Sequence, residues 1–185
     1  MSEVVVFHHS KGLTEDVLAF AKALRARGHQ VHTPDLYDGV TFATLEDGIA
    51  HAESIGVPTI LERGRRAVDG VETDITYVGF SLGVLPAQLL AQTRPGAHAA
   101  LFAHSCVPPS EFGPGWPDAV PLQLHLTEDD PLALPPNSDL EAARALAAQG
   151  AELFLYPGTD HLFDAPTTAL FTERALAFLE RRGDT

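Results

Sequence analysis

The pentapeptide Gly79-Phe80-Ser81-Leu82-Gly83 places a serine hydroxyl between two glycines. It follows the apolar run Thr76-Tyr77-Val78 and precedes a helix-like stretch that begins at Val84. At a sharp turn from a strand to a helix, a G-x-S-x-G sequence exposes the serine hydroxyl, because side chains at the glycine positions would collide with the strand or the helix. The pattern therefore predicts a nucleophilic Ser81, although glycines also flank serines in plain turns.

A serine hydroxyl is a weak nucleophile, so it needs a base and a group that orients the base. Two later segments supply such groups, each directly after an apolar strand-like run. The first is Thr127-Glu128-Asp129-Asp130-Pro131, and the second is Pro157-Gly158-Thr159-Asp160-His161. In a parallel α/β sheet, the carboxyl ends of the strands lie at one edge, where such folds build their sites. We therefore expect Ser81, one of the two aspartates and His161 to converge, in the chain order that is typical of α/β hydrolases.

The choice between Asp129 and Asp130 rests on Pro131. Either aspartate could simply stabilise the turn before this proline. We prefer Asp130, because the residue before a proline is held extended, which turns its side chain toward the edge of the sheet. His161 could be an ordinary loop histidine, but a Pro-Gly turn directly after a strand places it at the predicted site. The sequence thus predicts a catalytic triad of Ser81, His161 and Asp130, with Asp129 as the alternative acid.

Strand-like and helix-like segments alternate along nearly the whole chain, as is typical of βαβ units on a parallel sheet. The predicted strands are 4–8, 30–33, 75–78, 97–103, 122–126 and 153–156, and helices are predicted to begin at Thr14, Thr44, Pro58, Val84, and Asn137 or Ser138. The Pro- and Gly-rich stretch 104–118 predicts a loop. We expect a single α/β-hydrolase-like domain over residues 1–185, with a mostly parallel central sheet of about six strands and helices on both faces.

The composition disfavours several classes of protein. A formal net charge of −13 argues against a nucleic acid or an anionic membrane as the partner. No apolar run approaches the length of a membrane span, and the first residues lack the basic segment and cleavage site of a signal peptide. The single cysteine, Cys106, excludes an internal disulfide and fits a reducing compartment. We therefore expect a cytoplasmic protein that acts on a small molecule.

Several landmarks, taken in order, resemble the dienelactone hydrolase family from Val4 to Leu179. They are the strand at 4–8, Gly12-Leu13-Thr14, Pro34-Asp35-Leu36-Tyr37, the turn around Ser81, the acidic loop, and Tyr156-Pro157-Gly158 followed by His161. The resemblance implies an α/β-hydrolase fold that hydrolyses esters or lactones with a Cys, Asp, His triad. Ser81 stands at the position of the family's cysteine, and the resemblance gives Asp130 and His161 the other two roles.

The resemblance also implies an oxyanion hole formed by the backbone amides of Leu82 and Ser10. It places His9 where the family has a glutamate, and Ala165 where dienelactone-specific enzymes carry an arginine that binds the substrate carboxylate. A serine must be deprotonated by the histidine during attack, whereas a thiolate can exist beforehand. An anionic dienelactone is therefore not the expected substrate. The predicted pocket residues are His9, Asp35, His104 and Trp116.

Taken together, these patterns predict a serine hydrolase that cleaves a small carboxylic ester, lactone or thioester through an acyl-enzyme intermediate. We expect no cofactor and no metal, since the nine histidines do not form a recognisable set of ligands. Two alternatives stay open. One is a non-catalytic binding protein that keeps the fold, because folds outlive functions. The other is an acyltransferase that uses the same triad with an acceptor other than water.

Overall fold

In a computed structural model that describes residues 3–71 and 74–183, six strands form one sheet in the order β2-β1-β3-β4-β5-β6. The strands are β1 (Glu3–Phe7), β2 (Gln30–His32), β3 (Ile75–Phe80), β4 (Ala97–Ala103), β5 (Leu122–Thr127) and β6 (Glu152–Tyr156). Every neighbouring pair is parallel. The prediction of a parallel sheet of about six strands is confirmed, with strand ends that differ by one or two residues.

Six α-helices surround this sheet. They are α1 (Glu15–Ala26), α2 (Leu45–Ile55), α3 (Val57–Arg66), α4 (Val84–Thr93), α5 (Asp139–Ala147) and α6 (Ala165–Gly183). Alternate residues of the central strands point to opposite faces, as the pleat requires. In β1, Val4 and Val6 pack with α1 and α6, whereas Val5 and Phe7 pack with the side that carries α2 to α5. Both faces are therefore covered, and the central strands are apolar on both sides.

The ends of the helices follow the expected chemistry only in part. Thr44 caps α2, since its hydroxyl accepts a hydrogen bond of 3.1 Å from the Asp47 amide. Thr14 and Ser138 also stand at N-cap positions, but neither side chain makes a capping hydrogen bond. The Thr14 hydroxyl donates to the Asp16 carboxylate instead. The predicted loop 104–118 is irregular except for a short 3₁₀ turn at Pro109–Glu111.

The carboxyl ends of the strands place four segments along one edge of the sheet. These are the loop after β1, the turn after β3, and the loops after β5 and β6, which hold Ser10, Ser81, Asp130 and His161 respectively. This edge is where parallel α/β sheets bind their ligands. Within residues 3–71 and 74–183, no helix has both the length and the apolar character that crossing a bilayer would require.

Candidate active site

The turn after β3 holds Ser81 in a strained backbone conformation. Ser81 has φ +49°, which L side chains rarely adopt, and it begins the 3₁₀ turn Ser81–Gly83 that leads into α4. A Cβ atom on Gly79 would lie 2.7 Å from the Gly83 carbonyl oxygen, and one on Gly83 would lie 2.4 Å from the Phe7 carbonyl oxygen. Both flanking positions therefore require glycine. The turn has the shape of a nucleophile elbow, in which strain exposes the serine hydroxyl.

A continuous chain of hydrogen bonds joins Ser81, His161 and Asp130. The distance from Ser81 Oγ to His161 Nε2 is 2.6 Å, and that from His161 Nδ1 to Asp130 Oδ2 is also 2.6 Å. An ionised carboxylate can only accept, so Nδ1–H donates to Asp130. Nε2 then carries the lone pair and accepts the Ser81 hydroxyl proton. This is the proton arrangement that a general base needs before it activates a serine.

The loops that carry the acid and the histidine are tied to each other. The Glu128 amide donates to the Tyr156 carbonyl at 2.8 Å, and the Asp129 amide donates to the Gly158 carbonyl at 3.1 Å. The Thr127 hydroxyl donates to the Asp160 carbonyl at 2.8 Å. These bonds fix the two loops at neighbouring strand ends, which accounts for the short contact between Asp130 and His161.

Asp130, rather than Asp129, is the acid that meets His161. Asp130 is 1% exposed, and its second oxygen, Oδ1, accepts a hydrogen bond of 2.9 Å from the Leu132 amide. Asp129 is exposed to solvent. The carboxylate of Asp130 is thus held at both oxygens in a buried setting, and its orientation toward Nδ1 is fixed.

The predicted oxyanion donors lie on two segments that touch. Gly83 packs against the Phe7 and His8 carbonyl oxygens, so the end of β1 lies directly beside the elbow. Ser10 lies on the buried loop after β1. Gly48 of α2 packs closely against the Ser10 peptide group, since a Cβ atom on Gly48 would lie 2.2 Å from the Ser10 carbonyl oxygen. The backbone around Ser10 is therefore held in place near the 3₁₀ turn Ser81–Gly83, which contains Leu82.

His9 is buried between the loop after β1 and the start of α1. Its Nδ1 accepts a hydrogen bond of 3.2 Å from the Lys11 amide, so the ring proton is on Nε2, which donates to Asp16 Oδ2 at 2.9 Å. Burial alone would raise the pKa of Asp16, but the hydrogen bonds from His9 and Thr14 outweigh it and lower that pKa below its ordinary value. His9 therefore joins the loop to α1, and both ring nitrogens are used in doing so.

His104 lies beside His161. It follows β4 with φ +72°, and its ring centroid is 5.9 Å from that of His161 and 4.1 Å from that of Phe163. Burial lowers the pKa of His104 well below its ordinary value, and the neighbouring His161 and His9 act in the same direction. The ring is therefore neutral, and it forms part of the wall around the predicted site.

Two predicted pocket residues have other roles. The Asp35 carboxylate accepts hydrogen bonds from the Tyr37 amide at 2.8 Å and the Gly39 amide at 2.6 Å, so it stabilises its own turn. Trp116 donates from Nε1 to the Val120 carbonyl at 2.7 Å and lines a surface cleft at the amino ends of β5 and β6, the edge opposite Ser81. The pocket prediction for Trp116 is wrong, because this residue packs at the far edge of the sheet. Local backbone amides occupy the Asp35 carboxylate, and its pocket role stays a prediction.

The segment after His104 is anchored by a carboxylate that the sequence did not single out. Asp139, the first residue of α5, accepts hydrogen bonds from the Ser105 hydroxyl at 2.6 Å and the Cys106 amide at 3.4 Å. Burial raises the pKa of Asp139, and these two hydrogen bonds oppose the change. Burial and the nearby Asp139 also raise the pKa of the Cys106 thiol. The thiol therefore stays protonated and is a poor nucleophile.

The sequence also missed an aromatic cavity of about 350 Å³ between α1 and α6. Its lining residues include Phe20, Phe80, His104, Phe163 and Phe171, which come from separate parts of the chain. The sequence feature that could have indicated this cavity was Phe163, an aromatic residue two positions after His161. Across the described ranges, no group of three or more His, Cys, Asp or Glu side chains is placed to hold a metal ion.

Comparison with known proteins extends this picture. The dienelactone hydrolase family profile matches residues 1–178. A search of curated proteins finds no significant match. Among solved structures, the chain is similar to a dienelactone hydrolase-like promiscuous phosphotriesterase from metagenomic libraries, with a TM-score of 0.72 at 17% identity, covering 98% of this chain and 86% of the other.

Two further structures agree with this fold. A cold-adapted esterase from an Arctic intertidal metagenomic library has a TM-score of 0.70 at 18% identity, with 98% of this chain and 82% of the other covered. An alpha/beta superfamily protein from Xanthomonas campestris pv. campestris has a TM-score of 0.66 at 18% identity, with coverage of 98% and 99%. At such identities the structural matches establish the fold, while the profile covers nearly the whole chain. This chain is a member of the dienelactone hydrolase family.

Proposed function

We propose that this hydrolase is a serine esterase that cleaves a small carboxylic ester, lactone or thioester by way of an acyl-enzyme. The observation that carries the proposal is the 2.6 Å contact of Ser81 Oγ with His161 Nε2, in line with the 2.6 Å contact of His161 Nδ1 with Asp130 Oδ2. A nucleophile, a base and a group that orients the base are the three parts of a serine hydrolase triad.

In the acylation step, Ser81 Oγ attacks the carbonyl carbon while His161 Nε2 takes the hydroxyl proton. Asp130 stabilises the imidazolium that forms, and the amides of Leu82 and Ser10 hold the oxygen that becomes negative. The imidazolium then protonates the leaving alcohol or thiol as its bond to the carbonyl carbon breaks. Water, deprotonated by His161, repeats the sequence on the acyl-enzyme and releases the acid. Each oxyanion donor lowers the barrier by roughly 3–4 kcal/mol, because it meets a charge that exists only in the transition state.

The geometry disfavours the non-catalytic alternative, which would have been supported by a Ser81 to His161 distance far outside hydrogen-bond range. The acyltransferase alternative uses the same first step. It is distinguished by how the acyl-enzyme breaks down in water and in the presence of added alcohols or amines.

The test is labelling with a fluorophosphonate, which reacts with activated serines, followed by mass spectrometry of the modified peptide. We expect labelling at Ser81 and none in Ser81→Ala, together with loss of p-nitrophenyl acetate turnover in Ser81→Ala and His161→Ala. Ser54→Ala is the matched control, because Ser54 is an exposed serine whose hydroxyl only donates to the His51 carbonyl. Labelling that persists at full extent in Ser81→Ala would overturn the proposal.

A further inference from the structure

The cavity between α1 and α6 has walls that are formed in advance of any ligand. The rings of Phe20, Phe80, Phe163 and Phe171 pack on one another, with centroid distances between 5.2 and 5.7 Å. The four residues come from α1, from the end of β3, from the loop after β6 and from α6. Because these rings support one another, they keep an apolar space of about 350 Å³ open.

Residues that are next to the proposed catalytic groups in the sequence line this cavity. Phe80 directly precedes Ser81, and Leu162 and Phe163, which also line the cavity, directly follow His161. His104 lines the cavity as well, and its ring lies 5.9 Å from the His161 ring. A group held in the cavity would therefore lie beside the residues that flank the reacting atoms.

The wall of the cavity includes His104, a buried and neutral histidine. His104 is 5% exposed, and among residues 3–71 and 74–183 its enclosed Nδ1 has no hydrogen-bond partner. The ring donates to the backbone of His161. A neutral imidazole has one N–H, so Nδ1 holds an unused lone pair. A space walled mostly by aromatic rings and a neutral imidazole is typical of a pocket for a mostly apolar ligand.

The mouth of the cavity excludes anions. Asp16, Thr168 and Thr172 lie among its lining residues, and those residues include no lysine or arginine. Asp16 is ionised, because hydrogen bonds from His9 and Thr14 lower its pKa. A carboxylate on the substrate would therefore meet a like charge with no compensating cation.

We infer that this cavity binds an uncharged apolar group of the ester that Ser81 attacks, either its acyl chain or its alcohol. The inference rests on the proposed esterase function and adds a substrate class to it. A volume of about 350 Å³ is roughly a dozen water-sized volumes of about 30 Å³ each, so the cavity has room for a group of about four to eight carbons. Very short acyl groups such as acetyl leave the cavity unfilled.

The experiment compares two substrate series on the full chain. In the first, p-nitrophenyl esters run from acetate to octanoate. In the second, alkyl acetates run from methyl to octyl, and acid release is followed in a pH-stat. Each buried methylene is worth up to about fourfold in kcat/KM, so we expect a rise of at least about tenfold from two to six carbons in one series. The series that responds identifies which half of the ester occupies the cavity.

A matched pair of variants tests whether the cavity causes the dependence of kcat/KM on chain length. Ala19 is an exposed residue of α1 that lines the cavity, whereas Ala169 is an exposed residue of α6 that is not among the lining residues. Ala19→Trp is expected to remove the chain-length dependence, whereas Ala169→Trp is expected to preserve both this dependence and acetate turnover. Thr172→Trp, on the opposite wall, is expected to repeat the effect of Ala19→Trp and guards against misfolding of one variant.

The outcomes separate this inference from the proposed function. Ser81-dependent acetate turnover with a flat profile in both series would overturn the inference alone, as would identical profiles in Ala19→Trp and Ala169→Trp. Absence of turnover on every ester, with no fluorophosphonate labelling, would overturn the proposed function and this inference with it.

Discussion

The change of Asp130 to asparagine tests the catalytic geometry at one atom. In the native structure, Asp130 Oδ1 accepts from the Leu132 amide at 2.9 Å, and Oδ2 accepts from His161 Nδ1 at 2.6 Å. In Asp130→Asn, the Leu132 amide retains the side-chain oxygen as its acceptor. The new NH₂ group therefore faces His161. A donor at that point requires Nδ1 to be an acceptor, so the imidazole proton moves to Nε2 and the base can no longer take the proton of Ser81.

The expected magnitude follows from this tautomer. A histidine locked with its proton on the wrong nitrogen lowers kcat by roughly 10⁴-fold in a serine triad. That factor corresponds to about 5 kcal/mol of lost transition-state stabilisation, at about 1.4 kcal/mol per tenfold. Because Asp130 is 1% exposed and is covered by the Leu132 backbone and His161, the loss should appear in kcat with KM nearly unchanged.

The assay is p-nitrophenyl ester hydrolysis under saturating substrate, with circular dichroism to show that each variant is folded. Asp129→Asn is the control, since it makes the same chemical change at an exposed neighbour, where solvent screens the charge and kcat should stay within about twofold. Retention of more than about a tenth of the wild-type kcat in Asp130→Asn, or an equal loss of activity in Asp129→Asn, would contradict the proposed role of the His161 tautomer.

Two further predictions concern stability. Gly83→Ala should lower the free energy of unfolding in urea by roughly 1–3 kcal/mol, because the added Cβ would lie 2.4 Å from the Phe7 carbonyl oxygen. Gly115→Ala is the control, since open space surrounds Gly115 and the free energy of unfolding should stay unchanged. Equal urea midpoints for the two variants would contradict this prediction. Burial lowers the pKa of His125 from 6.5 to about 3. Below pH 6.5, His125 binds a proton in the unfolded chain but not in the native state. This group therefore lowers the free energy of unfolding by about 1.4 kcal/mol for each pH unit down to about pH 3. Glutamine does not titrate, so between pH 7 and pH 5 the free energy of unfolding of His125→Gln should fall by about 2 kcal/mol less than that of the wild type, as measured in urea titrations. An equal fall in the two proteins would contradict the lowered pKa of His125.

The fold, and the meeting of Ser81, Asp130 and His161 at one edge of the sheet, could be predicted because each depends on local signals. Ser81, Asp130 and His161 all follow an apolar strand within a few residues, and a parallel sheet places such positions at one edge whatever lies between them. Short loops leave the side chains little freedom. The preference for Asp130 over Asp129 came from Pro131, and the structure places Asp130 against the His161 ring.

The pocket could not be predicted in the same way. The stretch 104–118 has no periodic pattern, so nothing in its sequence shows that Trp116 packs against Phe102 and the amino ends of β5 and β6. Asp35 follows a strand, as Ser81, Asp130 and His161 do, yet nearby backbone amides take up its carboxylate. Position after a strand therefore identifies the edge of the sheet but does not decide where each side chain points.

The sequence by itself determined the parallel sheet, the strained glycine-flanked turn and the positions of Ser81, Asp130 and His161 after successive strands, because hydrophobic periodicity and turn chemistry are local properties of the chain. Tertiary structure alone decided the tautomer of His161, the burial of His104 and the aromatic cavity. Each of these depends on groups from distant segments meeting in space: a hydrogen bond of 2.6 Å between two loops, a ring enclosed by others, and a volume left between two helices.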